Sequence, residues 1–161
     1  MRSDSSPDAT ALQLELLPDA GHGPPVAPNL IALTDRGCVL LMDQGYFERE
    51  RQFHNVFLLE DYDGVPRHPE REKIELLHAL DMGPMVYAKV RVENYQGYSA
   101  DLERVVVFSK TGAILVVDTL RFRDTLLVRA GPVYNLGHLG PETGSRDGPG
   151  ETWVNGYLGD F

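Results

Sequence analysis

Residues 40–46 have the sequence Leu-Leu-Met-Asp-Gln-Gly-Tyr, and residues 53–59 have the sequence Phe-His-Asn-Val-Phe-Leu-Leu. Both segments contain apolar runs of strand length, and the connection between them is strongly charged. Side chains alternate between the two faces of a strand, so this spacing predicts that Asp43 and His54 share faces with alternate apolar residues. Both would then lie near the same connection. Two interpretations stay open: the two side chains converge on a metal ion or ligand, or they form a buried pair that locks a loop.

Two turns that end in glycine extend the strand pattern. Each lies between two apolar runs, in a spacing that predicts a type I turn followed by a glycine with positive φ, as in a β-hairpin. The first turn, residues 34–37, separates Asn29–Leu33 from Cys38–Met42, and the second, residues 109–112, separates Val105–Phe108 from Ala113–Val117. The runs around the second turn are continuously apolar, which is typical of strands that are buried on both faces.

Residues 71–80 admit two interpretations. A proline before them and a Gly-Pro pair after them are typical of helix boundaries. Every second residue from Ile74 to Leu80, however, falls on one face of a strand, which would pair with residues 86–92 through a turn at residues 81–84. We favour this hairpin and keep the helix as the alternative.

Strands about ten residues apart, separated by turn signals, predict an all-β fold, a mostly antiparallel β-sandwich. At 161 residues the chain is long enough to bury a substantial core. We expect a single domain, residues 11–161. A flexible N-terminal segment, residues 1–10, precedes it, because this stretch is polar and interrupted by proline.

The composition excludes some classes of function. A formal net charge of −9 and a pI near 4.9 argue against general nucleic-acid binding, which requires a basic surface. No apolar run reaches the length of a membrane span, and the single cysteine, Cys38, provides no disulfide framework. An anionic sugar ligand stays compatible with this charge, since it needs only a local positive groove.

The order of these elements resembles the C-terminal β-sandwich domain of the heparinase II/III-like polysaccharide lyases. The resemblance is carried by an apolar strand ending in Asp43-x-Gly45-Tyr46, followed by Phe53-His54-Asn55 and a second apolar strand. It continues in Tyr95-x-Gly97, in the run Arg104–Phe108, in Gly112 and in Val116-Val117-Asp118. The likeness runs loosely from about Leu12 to Phe122 and is sharpest from Gly37 to Glu60.

The resemblance implies an activity and a metal site. Enzymes of this family cleave uronate-containing polysaccharides, glycosaminoglycans among them, by β-elimination. It implies that Asp43 and His54 are zinc ligands and that His22 is the catalytic histidine beside the substrate. One position departs from the family pattern, because Pro24 stands where the second histidine of the motif would provide another ligand. Zinc is therefore implied only in part, since zinc sites take three or four protein ligands.

The resemblance also implies partners. Family members combine this sandwich with an α/α-toroid domain, which carries the tyrosine acid/base and the group that neutralises the uronate carboxylate. No segment of this chain resembles a toroid, so we expect the chain to need such a domain or subunit and to be inactive alone. Tyr46 and Tyr95 are the tyrosines that could act as bases, although a tyrosine in a β-protein more often serves packing. By resemblance the location is periplasmic or secreted, although residues 1–8 lack the apolar region of a secretory signal.

Arginines near the charged connection provide candidate substrate contacts. Arg49 and Arg51 could bind sulfate or carboxylate groups of an anionic polysaccharide, because a guanidinium binds such groups through two parallel hydrogen bonds. They could equally pair with Glu48 and Glu50, as Arg91 and Arg104 could with neighbouring glutamates on solvated strands. The alternative function is a non-catalytic carbohydrate-binding or scaffolding β-sandwich.

Overall fold

The computed structural model describes residues 1–16, 27–43, 51–62 and 72–135, together with the backbone of two short strands closer to the C-terminus. The strands are β1 (Ala11–Glu15), β2 (Asn29–Asp35), β3 (Cys38–Met42), β4 (Phe57–Asp61), β5 (Lys73–Asp81), β6 (Met85–Glu93), β7 (Ala100–Ser109), β8 (Ile114–Phe122), β9 (Val128–Pro132), β10 (Trp153–Val154) and β11 (Tyr157–Leu158). Two 3-10 turns, Arg51–Phe53 and Tyr95–Gly97, are the only helical segments in these ranges. The prediction of an all-β fold is confirmed. None of the described helical segments is long and apolar enough to cross a membrane.

The strands form antiparallel sheets. The largest is four-stranded in the order β5-β6-β7-β8, and a three-stranded sheet has the order β1-β2-β3. β4 pairs with β9, and β10 pairs with β11. Neighbours in the two larger sheets are also neighbours in sequence, so both sheets are meanders built from hairpins.

The core lies between the four-stranded sheet and the elements that cover its inner face. At one end, Val106 and Phe108 of β7 pack against Leu12, Leu30 and Leu41 of the three-stranded sheet. At the other end, buried residues of β6 and β7 pack against Leu59 of β4 and against partly buried residues of β9 and β1; these residues are Val90, Val92, Ala100 and Leu102, with Val128 and Leu14. This is the predicted sandwich, with one apolar cluster toward each end of β7.

Both predicted glycine-terminated hairpins form, but the first turn differs from the prediction. β2 and β3 pair through Asp35 and Cys38, so only Arg36 and Gly37 lie in the loop. Both have positive φ (49° and 76°), as in a type I′ turn rather than a type I turn followed by glycine. The primed turn matches the twist of two paired strands, which is why two-residue hairpins prefer it. In the second hairpin the backbone N–H of Gly112 donates to the carbonyl of Ser109 (3.0 Å), as expected for a turn followed by a positive-φ glycine.

The segment with two interpretations is a strand, β5, paired with β6 through the turn at residues 81–84. The register shifts at Leu77, which has no partner on β6. A bulge of this kind reverses the faces of the residues that follow it. His78 and Leu80, expected on the face of Ile74, therefore pair with outward-facing residues of β6.

The N-terminal segment predicted to be flexible, residues 1–10, makes defined contacts with β1. The amino group and carbonyl of Met1 pair with the backbone of Leu12 (2.8 and 2.9 Å), and the side chain of Thr10 donates to Asp35 (2.5 Å). The backbone N–H of Arg36 donates to the carbonyl of Asp8 (3.2 Å). These bonds fasten the segment to the first hairpin; its mobility stays a prediction.

Candidate functional site

Asp43 and His54 lie together, as the sequence predicts. Asp43 directly follows β3, and its backbone N–H donates to the carbonyl of Ile31 (2.7 Å), which continues the pairing with β2. His54 directly follows the 3-10 turn Arg51–Phe53, and its backbone N–H donates to the carbonyl of Arg51 (3.1 Å). The Nδ1 atom of His54 is 2.7 Å from the Oδ2 atom of Asp43, and the two side chains are only 5% and 8% exposed. The predicted convergence is therefore a direct contact in a nearly closed environment.

Two asparagines, which the sequence analysis left without a role, position this pair. The Nδ2 atom of Asn29 donates to Oδ2 of Asp43 (2.8 Å), and the Oδ1 atom of Asn29 accepts the backbone N–H of Asn55 (3.1 Å). Asn55 in turn donates from Nδ2 to the carbonyl of Leu30 (2.7 Å) and accepts the backbone N–H of Asn135. Both asparagines are at most 1% exposed. They tie the start of β2 to the segment that carries His54.

A buried ion pair on the four-stranded sheet supports the same segment. Arg104 of β7 is completely buried and donates from Nε and Nη2 to the two carboxylate oxygens of Asp118 on β8 (2.7 and 2.8 Å). Its Nη1 atom donates to the carbonyls of Pro28 (2.7 Å) and Asn55 (3.3 Å). Burial alone would lower the pKa of Arg104, but the hydrogen bonds and charge of Asp118 raise it above its ordinary value. The guanidinium therefore stays charged, and it binds the carbonyl of the residue before Asn29 and the carbonyl of the residue after His54.

The burial of Arg104 corrects the expectation that it pairs with a glutamate on a solvated strand. Strand alternation could have predicted this burial, because Arg104 lies on the same face of β7 as the inward-facing Leu102 and Val106. The cross-strand register places it opposite Asp118. Arg91, by contrast, does pair with a glutamate as expected, since its Nη2 atom lies 2.6 Å from Glu103 on the outer face.

Arg51, predicted to bind substrate, lies half-buried beside a second buried acid. Burial lowers the pKa of Arg51, and the charge of Glu72 partly offsets this effect. Burial also raises the pKa of Glu72 to about 7, although its carboxylate accepts the backbone N–H of Gln96 (2.5 Å). This environment gives Arg51 an internal electrostatic neighbour, and its role in substrate binding stays a prediction. Arg49 and His22 lie outside the described residues, as do Pro24 and Tyr46.

Tyr95 is a packing residue. It is completely buried, and its hydroxyl donates to the carbonyl of Phe57 (2.5 Å). Burial raises the pKa of Tyr95 far above its ordinary value. The next side chain, Gln96, accepts the backbone N–H of Leu59 (2.8 Å) and donates to the same carbonyl of Phe57 (3.0 Å). Gln96 thus takes the place of a neighbouring strand along one edge of β4. A tyrosine held in this way is unsuited to act as a base.

The described residues contain two of the side chains that the resemblance implies at the zinc site, Asp43 and His54. Among the described residues, no group of three or more His, Cys, Asp or Glu side chains is placed to hold a metal ion. Two ligands on one tetrahedral zinc, each about 2.0–2.1 Å from the metal, lie roughly 3.3 Å apart. The 2.7 Å separation of Asp43 and His54 is that of a hydrogen bond. Zinc binding stays a prediction.

A hydrogen-bonded carboxylate and imidazole have recognised chemical uses. The carboxylate fixes the orientation of the ring, and the far ring nitrogen can accept a proton or bind a cation. Such a pair also serves purely to hold a loop. Comparison of the chain with protein-family models, with curated proteins and with solved structures finds no match in any of the three.

Proposed function

We propose that this chain is the β-sandwich domain of an enzyme that cleaves uronate-containing polysaccharide by β-elimination, acting together with an α/α-toroid domain. The observation that carries the proposal is the 2.7 Å contact between Asp43 and His54. Both residues lie in the range from Gly37 to Glu60, where the resemblance to the heparinase II/III-like lyases is sharpest. Asp43 directly follows β3, and His54 lies between the 3-10 turn Arg51–Phe53 and β4.

The buried polar network gives the proposal its physical support. Replacing a buried ion pair with well-packed apolar residues is often neutral or stabilising, so stability alone does not require polar residues at these positions. Arg104, Asn55 and Asn29 instead form a continuous set of hydrogen bonds that ends at Asp43 and His54. A site that is held to a fraction of an ångström requires supporting residues of this kind.

The proposed reaction sets the requirements that the partner must meet. β-Elimination needs a base within hydrogen-bond reach of the proton beside the uronate carboxylate, and a group that neutralises the carboxylate. Tyr95 is excluded as the base by its burial and by its bond to Phe57. The resemblance implies that the base and the neutralising group belong to the toroid domain, and the sandwich would form one wall of the cleft.

A second function is favoured by one specific observation, the near-complete burial of the pair. Side chains that are 5% and 8% exposed fit a structural lock in a non-catalytic carbohydrate-binding or scaffolding sandwich. Ligand binding separates the scaffolding form of this alternative from the other functions. A lyase domain or a carbohydrate-binding domain binds uronate oligosaccharides, whereas a scaffolding domain does not.

The test follows backbone NMR signals of the purified chain during titration with oligosaccharides of heparin, heparan sulfate and alginate, with a neutral glucan as control. We expect the uronate ligands to shift signals around His54 and Asn55 and the neutral glucan to leave them unchanged. Absence of shifts with all three uronate ligands would favour the scaffolding function.

The same samples are then monitored by ultraviolet absorbance for unsaturated uronate. We expect no turnover by the chain alone, because misplacing one catalytic group by about an ångström can cost on the order of 100-fold in rate. Sustained turnover that is abolished by His22→Ala would show that the sandwich carries its own active site, which contradicts the dependence on a toroid partner.

A further inference from the structure

The Oδ2 atom of Asp43 receives two hydrogen-bond donors. Asn29 approaches it through Nδ2 at 2.8 Å and His54 through Nδ1 at 2.7 Å. The orientation of the Asn29 amide is fixed independently, because its other end meets the backbone N–H of Asn55, which can only donate. The oxygen of Asn29 therefore faces Asn55, and its NH2 group faces Asp43.

We infer that Asp43 is the orienting carboxylate of His54 and that it holds a proton on Nδ1, so that Nδ1 of His54 cannot accept a proton or bind a cation. An ionised carboxylate only accepts hydrogen bonds, so the nitrogen that faces it must carry the hydrogen. This holds for the neutral ring and for the cation, because Nδ1 is protonated in both. The donation from Asn29 to the same oxygen opposes a proton on that oxygen, and so opposes the reverse arrangement.

This assignment differs from the arrangement that the resemblance implies, in which Asp43 and His54 both bind one metal ion. As co-ligands, Oδ2 and Nδ1 would both direct lone pairs at the ion, and Nδ1 would carry no hydrogen. The contacts to Asn29 and His54 instead make Oδ2 a hydrogen-bond acceptor. Asp43 is then a positioning residue, and Asn29 positions Asp43 in turn.

The inference rests on the proposed function in one respect, which is that Asp43 and His54 belong to the site that faces the uronate. Its geometric content concerns a hydrogen position, which can be observed without any polysaccharide. The oligosaccharide titration and the test below can therefore fail separately.

The test is long-range proton–nitrogen NMR of the full chain with 15N-labelled histidine. The chain has five histidines, and His54 is identified from His54→Gln or, if that variant does not fold, from its proximity to the Asn29 amide protons. We expect the nitrogen shift of a protonated Nδ1 and a downfield Nδ1 proton. An unprotonated Nδ1 with the hydrogen on Nε2 would overturn the inference.

Two perturbations sharpen the result. Asn29→Ala should leave the protonated Nδ1 in place but speed the exchange of its proton with water about tenfold, as the loss of one buried hydrogen bond predicts. Glu103→Gln on the outer face is the matched control and should leave the signal unchanged. Equal exchange in Asn29→Ala and the unaltered protein would overturn the positioning role of Asn29.

Addition of zinc chloride then addresses the co-ligand arrangement. Retention of the Nδ1 proton at saturating zinc supports the inference, whether or not the ion binds at Nε2. Loss of the Nδ1 proton, together with loss of zinc binding in Asp43→Ala, would show that both side chains ligate one ion and would overturn it.

Discussion

Each face of the β7–β8 hairpin carries residues that depart from the usual relation between polarity and burial. On the inner face, Arg104 and Asp118 form an ion pair with almost no exposure to water. On the outer face, Leu115 and Val117 are 57% and 44% exposed. The otherwise apolar inner face contains this ion pair because its arginine binds the carbonyls of Pro28 and Asn55. The outer face exposes these two apolar side chains, and no described element covers them. Burial alone therefore does not explain which residue type stands where in this hairpin.

The largest expected effect comes from breaking the inner pair. Arg104→Leu leaves the carboxylate of Asp118 and the carbonyl of Pro28 buried without their donor, so we expect a loss of about 3–5 kcal/mol in the free energy of unfolding. Urea denaturation measures it. The matched control is Arg91→Leu, which removes an exposed pair with Glu103 and should cost at most about 1 kcal/mol. Equal losses in the two variants would contradict the contrast between the faces.

A pH experiment on Glu72 probes a second buried charge on the inner side. Burial raises the pKa of Glu72 from 4.5 to about 7 in the folded protein, so the folded state binds this proton more tightly than the unfolded state. Its contribution to stability is full below pH 4.5 and is lost as the pH rises through 7. In the unaltered protein this effect lowers the free energy of unfolding by at most about 3 kcal/mol as the pH rises from 4.5 through 7. We expect the Glu72→Gln variant to lack this decline.

The control for Glu72 is a carboxylate with the opposite shift. Hydrogen bonds from Arg91 and Lys89 lower the pKa of Glu103 to about 2, so its contribution is present above pH 4.5 and is lost as the pH falls toward 2. Glu103→Gln should therefore leave the slope of stability between pH 4.5 and 7 unchanged. If Glu72→Gln also leaves this slope unchanged, the pKa of Glu72 is not raised in the folded protein.

The smallest expected effect is on the outer face. Replacing Leu115 and Val117 with threonine keeps the strand preference and should change the free energy of unfolding by no more than about 0.5 kcal/mol. Val106→Thr in the same hairpin is the inner-face control and should cost about 1–3 kcal/mol, because it buries a hydroxyl. A large loss from the outer-face double variant would indicate that these side chains are covered in the folded protein.

The fold was largely predictable because local signals agreed with one another. Alternating apolar residues and glycine-terminated turns defined the hairpins of β2–β3 and β7–β8, and the same alternation correctly favoured a strand over a helix for β5. The bulge at Leu77 was not predictable, since a one-residue register shift leaves the composition of the strand unchanged. The primed turn at Arg36 was missed because arginine seldom adopts positive φ.

The site was predictable only where polar residues stood out against apolar neighbours. Asp43 and His54 mark strand ends, and that position was enough to bring them together in the prediction. Asn29 and Asn55 occupy similar positions but carry no charge, so they did not stand out from the sequence pattern. Arg104 was assigned to the surface because a charged residue is seldom fully buried, although strand alternation placed it inside.

The most direct test of the shared acceptor at Asp43 is a double-mutant cycle between Asn29→Ala and His54→Ala, measured as free energies of unfolding. Both side chains donate to the same oxygen of Asp43, so removing one changes what the other contributes. We predict a coupling energy of about 0.5–3 kcal/mol, the range for residues in one hydrogen-bond network. Additive effects within about 0.3 kcal/mol would show that the two residues act independently, and would contradict a single site built around Asp43.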